Sequence, residues 1–388
     1  MSRRDADGPT YFPRVIELQS DELNFAFPEL LESLRTRIRA WVDERLESAT
    51  NDEKNLLPST REEIHRAFAL CLPRISAAVS FQRTLRLPDT GRDYPMPLGL
   101  GRFSLYPVDD FQGVPAAWQQ RGGVMLPLYP TEALWLGFYS DYPMALRIGA
   151  GGHCAVSGAP WVSGLNLSPQ NYLVLGTQPW LDGFHAGPDI VRQFVAKPLG
   201  QGLLGVHALS PEERWGGLQL QAVPLRADEF WRQSLKASVS ARWDELMTPI
   251  RHRVALPLAD GGAPPDWTVK VGGKIRLRIM EDPYGLPAWD PTLSSRCFAH
   301  LCLATDWQRL TGIRPPQKPP TAADFTAAGL PWTDSTLGVL RPAGSTAQPF
   351  ANAQILESLR QEESGYAEVA PRNVVRLNPE LRQVVREF

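Results

Sequence analysis

"VSFQRTLRLPDTGRDYPMPLGLGRFSLYPVDD", residues 79–110, is a succession of short apolar runs cut by Pro, Gly and Asp. Runs of this length bounded by turn residues read as strands, turns and a few short helices. "GGVMLPLYPTEALWLGFYS", residues 122–140, continues in the same grammar. The expectation is a β-rich, largely antiparallel body over residues 79–312.

Upstream the pattern differs. Residues 29–48, "ELLESLRTRIRAWVDERLES", place Leu30, Leu34, Ile38, Trp41 and Leu46 near one helical face. Asp43, Glu44 and Glu47 argue against a cationic helix lying on a membrane. A second helix is expected over 59–72, with Ser59 and Glu62 at capping-box spacing behind Pro58, and Pro73 closing it. Together they predict a helical hairpin, so the chain reads as α+β. Its parts are an N-terminal strand segment (1–28), the hairpin (29–78), the β-rich domain (79–312) and a proline-rich linker with an irregular end (313–388). A short helix is expected near 351–363. The second helix is too short to cover the stripe, which makes Leu34, Ile38, Trp41 and Val42 candidates for an interface with a protein partner or a second copy.

Two hairpins stand out in the body. "WTVKVGGKIRLRI", residues 267–279, alternates cleanly and pairs Val271 with Ile275 if the loop has three residues. Its Lys270, Arg276 and Arg278 share a polar face, read as solvated. "ALRIGAGGHCAVSG", residues 145–158, predicts Leu146 and Ile148 facing Cys154 and Val156 across a glycine-rich turn.

The 40 basic and 42 acidic residues nearly cancel, so no global field favours nucleic acid or an anionic membrane. No apolar run reaches the roughly 20 residues of a membrane-spanning helix. Four scattered cysteines and an opening "MSRRDADGPT" without a signal segment predict a soluble, cytoplasmic protein. The 12 tryptophans recur after proline in "APWV", "QPWL" and "LPWT", either as core anchors or as a surface for a sugar or other ring.

Glycine fingerprints call for a strand before and a helix after. "GQGLLG", Gly200–Gly205, has no room for that helix before Pro211 and Gly216-Gly217, while Asp228 and Glu229 open a helix of their own. No cofactor is expected. Cys297, His300 and Cys302 in "RCFAHLC" are metal-ligand types, but strand alternation puts Cys297 on the face opposite the other two, so no metal is expected either. Nucleophile-elbow, metalloprotease-helix and phosphate-loop motifs are absent from the sequence. The polar loops least like packing are "QPWLDGFHAG", with Trp180, Asp182 and His185, and "EDPYGLPAWD", with Asp282, Tyr284, Trp289 and Asp290. An Asp–His pair suits acid–base work, and carboxylates beside tryptophan suit a sugar or cation. The same letters also spell ordinary turns.

At "VSFQRTLRLPDTGRDYPMPLGLGRFSLYPVDDF", "QPWLDGFHAGPDIVRQFVAKPLGQG", "KIRLRIMEDPYGLPAWD" and "AGLPWTD" the chain resembles an uncharacterised bacterial protein family, some members of which carry membrane-protein labels. The resemblance spans most of residues 79–335 and implies no activity. It implies that "VRQFVA" (191–196) is a family strand, and that relatives pass directly from "FAFPE" (25–29) to "SFQRT" (80–84). The hairpin is then an insertion particular to this chain. Two functional readings stand: a non-enzymatic binding or assembly protein, with a small-molecule ligand among the options, or a hydrolase-like enzyme using Asp182/His185 with Asp282/Asp290. Convergence of the two loops in one pocket favours the enzyme.

Overall fold

The computed structural model describes residues 15–19, 21–58, 60–87, 94, 97, 99–187, 190–196, 216–247, 279–330 and 383–384. The fingerprint at 200–205, the hairpin strands within 267–278, and the helix expected at 351–363 lie outside them. The fold is α+β, with a β-rich body of largely antiparallel sheets.

The chain folds as two compact units, one from Met1–Ala26, Ser76–Pro224 and Lys274–Phe388, the other from Phe27–Ile75 and Leu225–Gly273. The first unit holds the sheets. Early strands β1 (Val15–Gln19), β2 (Glu22–Ala26), β3 (Ser76–Leu85) and β4 (Gly99–Arg102) belong to one of them. The second sheet contains β5 (Tyr106–Pro107) and β6 (Val124–Leu128), and the chain then returns to the first with β7 (Glu132–Ser140). Next come β8 (Met144–Ala150), β9 (His153–Cys154) and β10 (Leu173–Leu175) in the second sheet, and β11 (Trp180–Leu181) in the first. β12 (Phe184–Gly187) and β13 (Ile190–Arg192) form a separate ribbon. β14 (Leu218–Pro224) and β15 (Ser295–Leu303) complete the second sheet, and β16 (Gln383–Val384) edges the first. The orders are β11-β7-β3-β2-β1-β16, with β4 on β3, and β10-β8-β14-β15-β6-β5, with β9 on β8. β15 pairs with β6 in parallel.

Period-two alternation explains the first sheet. Leu134 and Leu136 on β7, Val79 and Phe81 on β3, Leu23 on β2 and Leu181 on β11 are completely buried. Burying such side chains contributes roughly 1.5–3 kcal/mol apiece. In the second sheet β8 is buried along its whole length, which brings Arg147 inside. Its Nη1 donates to Gln221 Oε1 at 2.9 Å and its Nη2 to the Val162 carbonyl, while its guanidinium carbon lies 4.1 Å from the Trp161 ring centroid. Gly149 is required for this, because a Cβ there would sit 2.8 Å from the same indole.

The 145–158 hairpin is tighter than alternation predicts. β8 pairs Gly149 with Cys154 and Ala150 with His153, around Gly151-Gly152 with both φ positive, +55° and +80°. Two such residues suit a tight turn between twisted strands. Leu146 therefore faces Leu173 and Ala222, not Cys154.

The proline-rich stretch after Arg314 is more than a linker. Prolines remove backbone donors, and side chains supply the ties instead. Arg83 Nη2 donates to Lys318 O at 3.0 Å, Tyr129 OH to Gln317 O at 3.0 Å, and Gln317 Nε2 to Pro127 O at 2.6 Å. Arg83 also pairs with buried Glu132. α8 (Ala322–Ala327) follows, capped by Thr321 and Asp324, and drives Phe325 into a cluster with Leu85 and Leu330.

The second unit is helical. α1 (Pro28–Ser48) starts on Pro28, whose missing N–H costs nothing at a helix start. A short α2 (Asn51–Lys54) intervenes before α3 (Arg61–Ala69), so the segment holds three helices where two were expected. The cap is one residue later than the spacing indicated: Thr60 Oγ1 accepts from Glu63 N, and Glu63 Oε2 accepts from Thr60 N, each at 3.2 Å. Ser59 lies outside the described residues. Asp43 joins α1 to α3 by accepting from Arg61 Nε at 2.8 Å and from His65 Nε2 at 2.7 Å. A helical run of α5 (Ala227–Phe230), a π turn (Trp231–Leu235) and α6 (Lys236–Met247) belongs to the same unit. Its Trp243 meets Trp41 edge-on at 6.0 Å and Phe68 at 5.9 Å.

This corrects the interface reading. Leu34, Ile38 and Val42 are buried, at 0–1% exposure, and Trp41 is half-buried against Trp243. The stripe is core, covered in part by residues nearly 200 positions downstream.

Candidate functional site

The short helix α4 (Ala116–Arg121) accounts for the histidine of the Cys/His run on β15, and α7 (Ala304–Thr311) follows that strand directly. His300 is buried, donates from Nε2 to the Gly122 carbonyl at 3.0 Å, and stacks on Trp118 at 4.7 Å and Phe298 at 5.9 Å. Burial, assisted by nearby Arg121, pushes its pKa down to about 4, so the ring is neutral. Burial pushes the Cys297 and Cys302 thiols up to about 12. Cys302 lies in an apolar cluster with Met125 and Trp307. Among the described residues no group of His, Cys, Asp or Glu is arranged to hold a metal ion.

The loop 281–290 is a structural knot. Asp282 Oδ1 accepts from Tyr284 N at 2.8 Å, and Oδ2 accepts from Trp289 Nε1 at 2.9 Å, Gly285 N at 3.1 Å and the Tyr172 hydroxyl. Four donors consume one carboxylate, and burial together with the pairing with Asp282 holds the Tyr172 phenol above its ordinary range. Trp289 is 1% exposed, with Tyr284 edge-on to it at 5.4 Å. Asp290 caps the turn Pro291–Leu293 through Thr292. Turn chemistry accounts for these residues.

The loop 178–187 divides. Gly183 has to be glycine, since a Cβ would lie 2.1 Å from Arg192 O. His185 sits on β12, its backbone N–H donating to Ala155 O at 2.9 Å. Burial raises the Asp182 carboxyl, opposed by the Trp180 side chain.

Two glutamines that sequence reading passed over draw the loops together. Gln178, buried, accepts from Met280 N at 3.0 Å and donates to Trp180 O at 3.0 Å. Gln170 accepts from Asp282 N at 3.1 Å and donates to Met280 O at 3.0 Å. The main chain beside Asp282 and the main chain of Trp180 are therefore fastened to one scaffold.

What Trp180 presents is an aromatic face. It pairs with Gly137 on β7, and partners across a ladder project to the same side. Trp135 and Tyr139 lie two positions either way from Gly137 and share that side. Trp180 is 44% exposed and Tyr139 61%. Gly137 has no side chain to fill the space between them, and a Cβ there would come within 2.8 Å of Ser80 Oγ. Polar groups continue the same rows. Gln82, opposite Trp135, donates to Ser80 Oγ at 3.0 Å, and Glu22, opposite Ser80, pairs with Arg102 at 2.8 Å. The signal was in "ALWLGFYS": alternate letters separate Trp135, Gly137 and Tyr139 from Leu134, Leu136 and Phe138.

No described helix is long and apolar enough to cross a membrane. Comparison of the chain with family models, curated proteins and solved structures finds no match.

Proposed function

We propose that this chain is a non-catalytic binding protein whose ligand is a carbohydrate laid on the Trp135–Gly137–Tyr139–Trp180 face. The observation carrying the proposal is that Trp180 and Tyr139 stand exposed on one side of a sheet, with Trp180 seated in the ladder opposite Gly137. A sugar ring offers an apolar C–H face to stack on an aromatic ring and a rim of hydroxyls for polar neighbours, here Ser80, Gln82, Glu22 and Arg102. Exposed aromatics grouped on one face mark interaction sites more often than scattered ones do.

The hydrolase reading draws on the meeting of the two loops at Gln178, but two of its carboxylates, Asp282 and Asp290, are taken up by internal donors, which leaves it Asp182 alone. The four free cysteines fit a reducing, cytoplasmic setting.

Affinity electrophoresis through gels containing soluble polysaccharides, followed by calorimetry with oligosaccharides of the retarding polymer, tests the proposal. Retardation of the wild type that is lost in Trp180→Ala and Tyr139→Ala is expected. Absence of retardation by every glycan, or retardation that both variants retain, overturns it.

A further inference from the structure

In the helical unit, α1 and α3 border a cleft of about 670 Å³, within the roughly 300–1,000 Å³ of small-molecule sites. Arg35, Arg39, Arg61 and Arg66 line it, with partly exposed Ala69 on its wall and buried Ile38 beneath its floor. His65 and Glu62 complete the wall. Helical spacing produces this crowding: Arg35 and Arg39 are one turn apart on α1, and Arg61 and Arg66 lie along α3.

The acids present only partly answer these charges. Arg35 pairs with Glu32, Arg61 with Asp43 and Arg66 with Glu62, while Arg39 makes no ion pair among the described residues. His65 shares Asp43 with Arg61. Each paired guanidinium commits a single nitrogen: Nη1 in Arg35, Nε in Arg61 and Nη2 in Arg66. With five donors on each arginine, most remain available. Exposed pairs of this kind contribute little, so oxygens of another anion can take their place.

We infer that the α1–α3 cleft binds a soluble, phosphate-bearing small molecule. Arg39 and the uncommitted nitrogens of Arg35, Arg61 and Arg66 hold the phosphates, and the carbon skeleton lies against Ala69 and the aliphatic stems of the arginines. Planar guanidinium forks match phosphate oxygens two at a time, and several forks around one cavity suit a di- or polyphosphate better than a single carboxylate. The cleft is built within residues 35–69, shares no residue with the aromatic face, and does not depend on the carbohydrate reading.

Calorimetry on the full chain tests this with inorganic pyrophosphate and adenosine diphosphate as probes, at low and physiological ionic strength. Flotation with phosphatidylcholine vesicles containing phosphatidylinositol bisphosphate tests the lipid source of the same chemistry. Saturable binding of at least one soluble probe is expected, weakened about tenfold or more by Arg39→Gln, as for the loss of a charge-assisted contact. Arg37→Gln removes the same charge from the same helix outside the cleft and is expected to leave binding unchanged. Both positions are exposed, and circular dichroism confirms folding. Absence of binding by both soluble probes, equal losses in the two variants, or binding confined to vesicles overturns the inference.

Discussion

The Trp41 and Trp243 rings meet edge to face, 6.0 Å apart at 88°. Arg45 lies over the Trp41 ring at 5.1 Å, which further occupies the side chain. Trp41→Ala should therefore weaken folding without changing oligomeric state. The expected loss is about 2 kcal/mol, below the roughly 3–5 kcal/mol for fully buried aromatics, because the ring is half-buried. Urea titration reads the first quantity and light scattering the second. A dimeric wild type that becomes monomeric in the variant would restore the interface reading.

Asp282 gathers donors from Tyr172, Tyr284, Gly285 and Trp289. Asp282→Asn keeps the shape but turns one accepting atom into a donor facing other donors. A loss of about 2–4 kcal/mol is expected, against about 1–2 for Tyr172→Phe, which removes a single bond. Equilibrium denaturation of both variants checks the order.

His300 makes stability sensitive to acid. The unfolded ring titrates near 6.5 and the folded ring near 4, so between these values the unfolded chain binds a proton that the folded chain refuses. Stability contributed by the neutral ring is present above pH 6.5 and is lost as pH falls toward 4, amounting to about 3 kcal/mol in the limit. His300→Phe can keep the stack on Trp118 and Phe298 and should flatten the stability–pH slope across that window. An unchanged slope in denaturation curves at stepped pH would count against the assignment.

Arg147 shows what a buried cation requires when no carboxylate among the described residues pairs with it. Burial pulls its pKa down to about 10, while Gln221, the Val162 carbonyl and the Trp161 face take up its charge. Lysine preserves the charge but cannot stack as a plane or bond both acceptors in the same fork. Arg147→Lys should cost about 2–3 kcal/mol, read as a drop in Tm by calorimetry.

Local signals made part of this molecule legible. The period of Leu30, Leu34 and Ile38 revealed α1, and the Pro- and Gly-bounded runs after Val79 revealed the strands. Chain-distant partners were not legible: Trp243 covering Trp41, Tyr172 reaching Asp282, and β15 lying beside β6 each depend on contacts far apart in sequence. The aromatic face was hidden for another reason. Both sides of "ALWLGFYS" are apolar by letter, so alternation separates the two sets without telling which faces outward; the exposure of Tyr139 and of its neighbour across the ladder, Trp180, does. At Asp282 the turn was readable, but the donors that make its carboxylate structural were not.

β15 has β14 on one side and β6 on the other. Before residues 295–303 have been synthesised, β5–β6 and β10–β8–β14 are separate fragments, each with an unsatisfied strand edge. Ladders closed across such long separations form slowly and leave sticky edges exposed meanwhile. A ribosome-bound chain stopped short of Ser295 should therefore recruit chaperones, and release of β15 should end that dependence by joining the two fragments in one step.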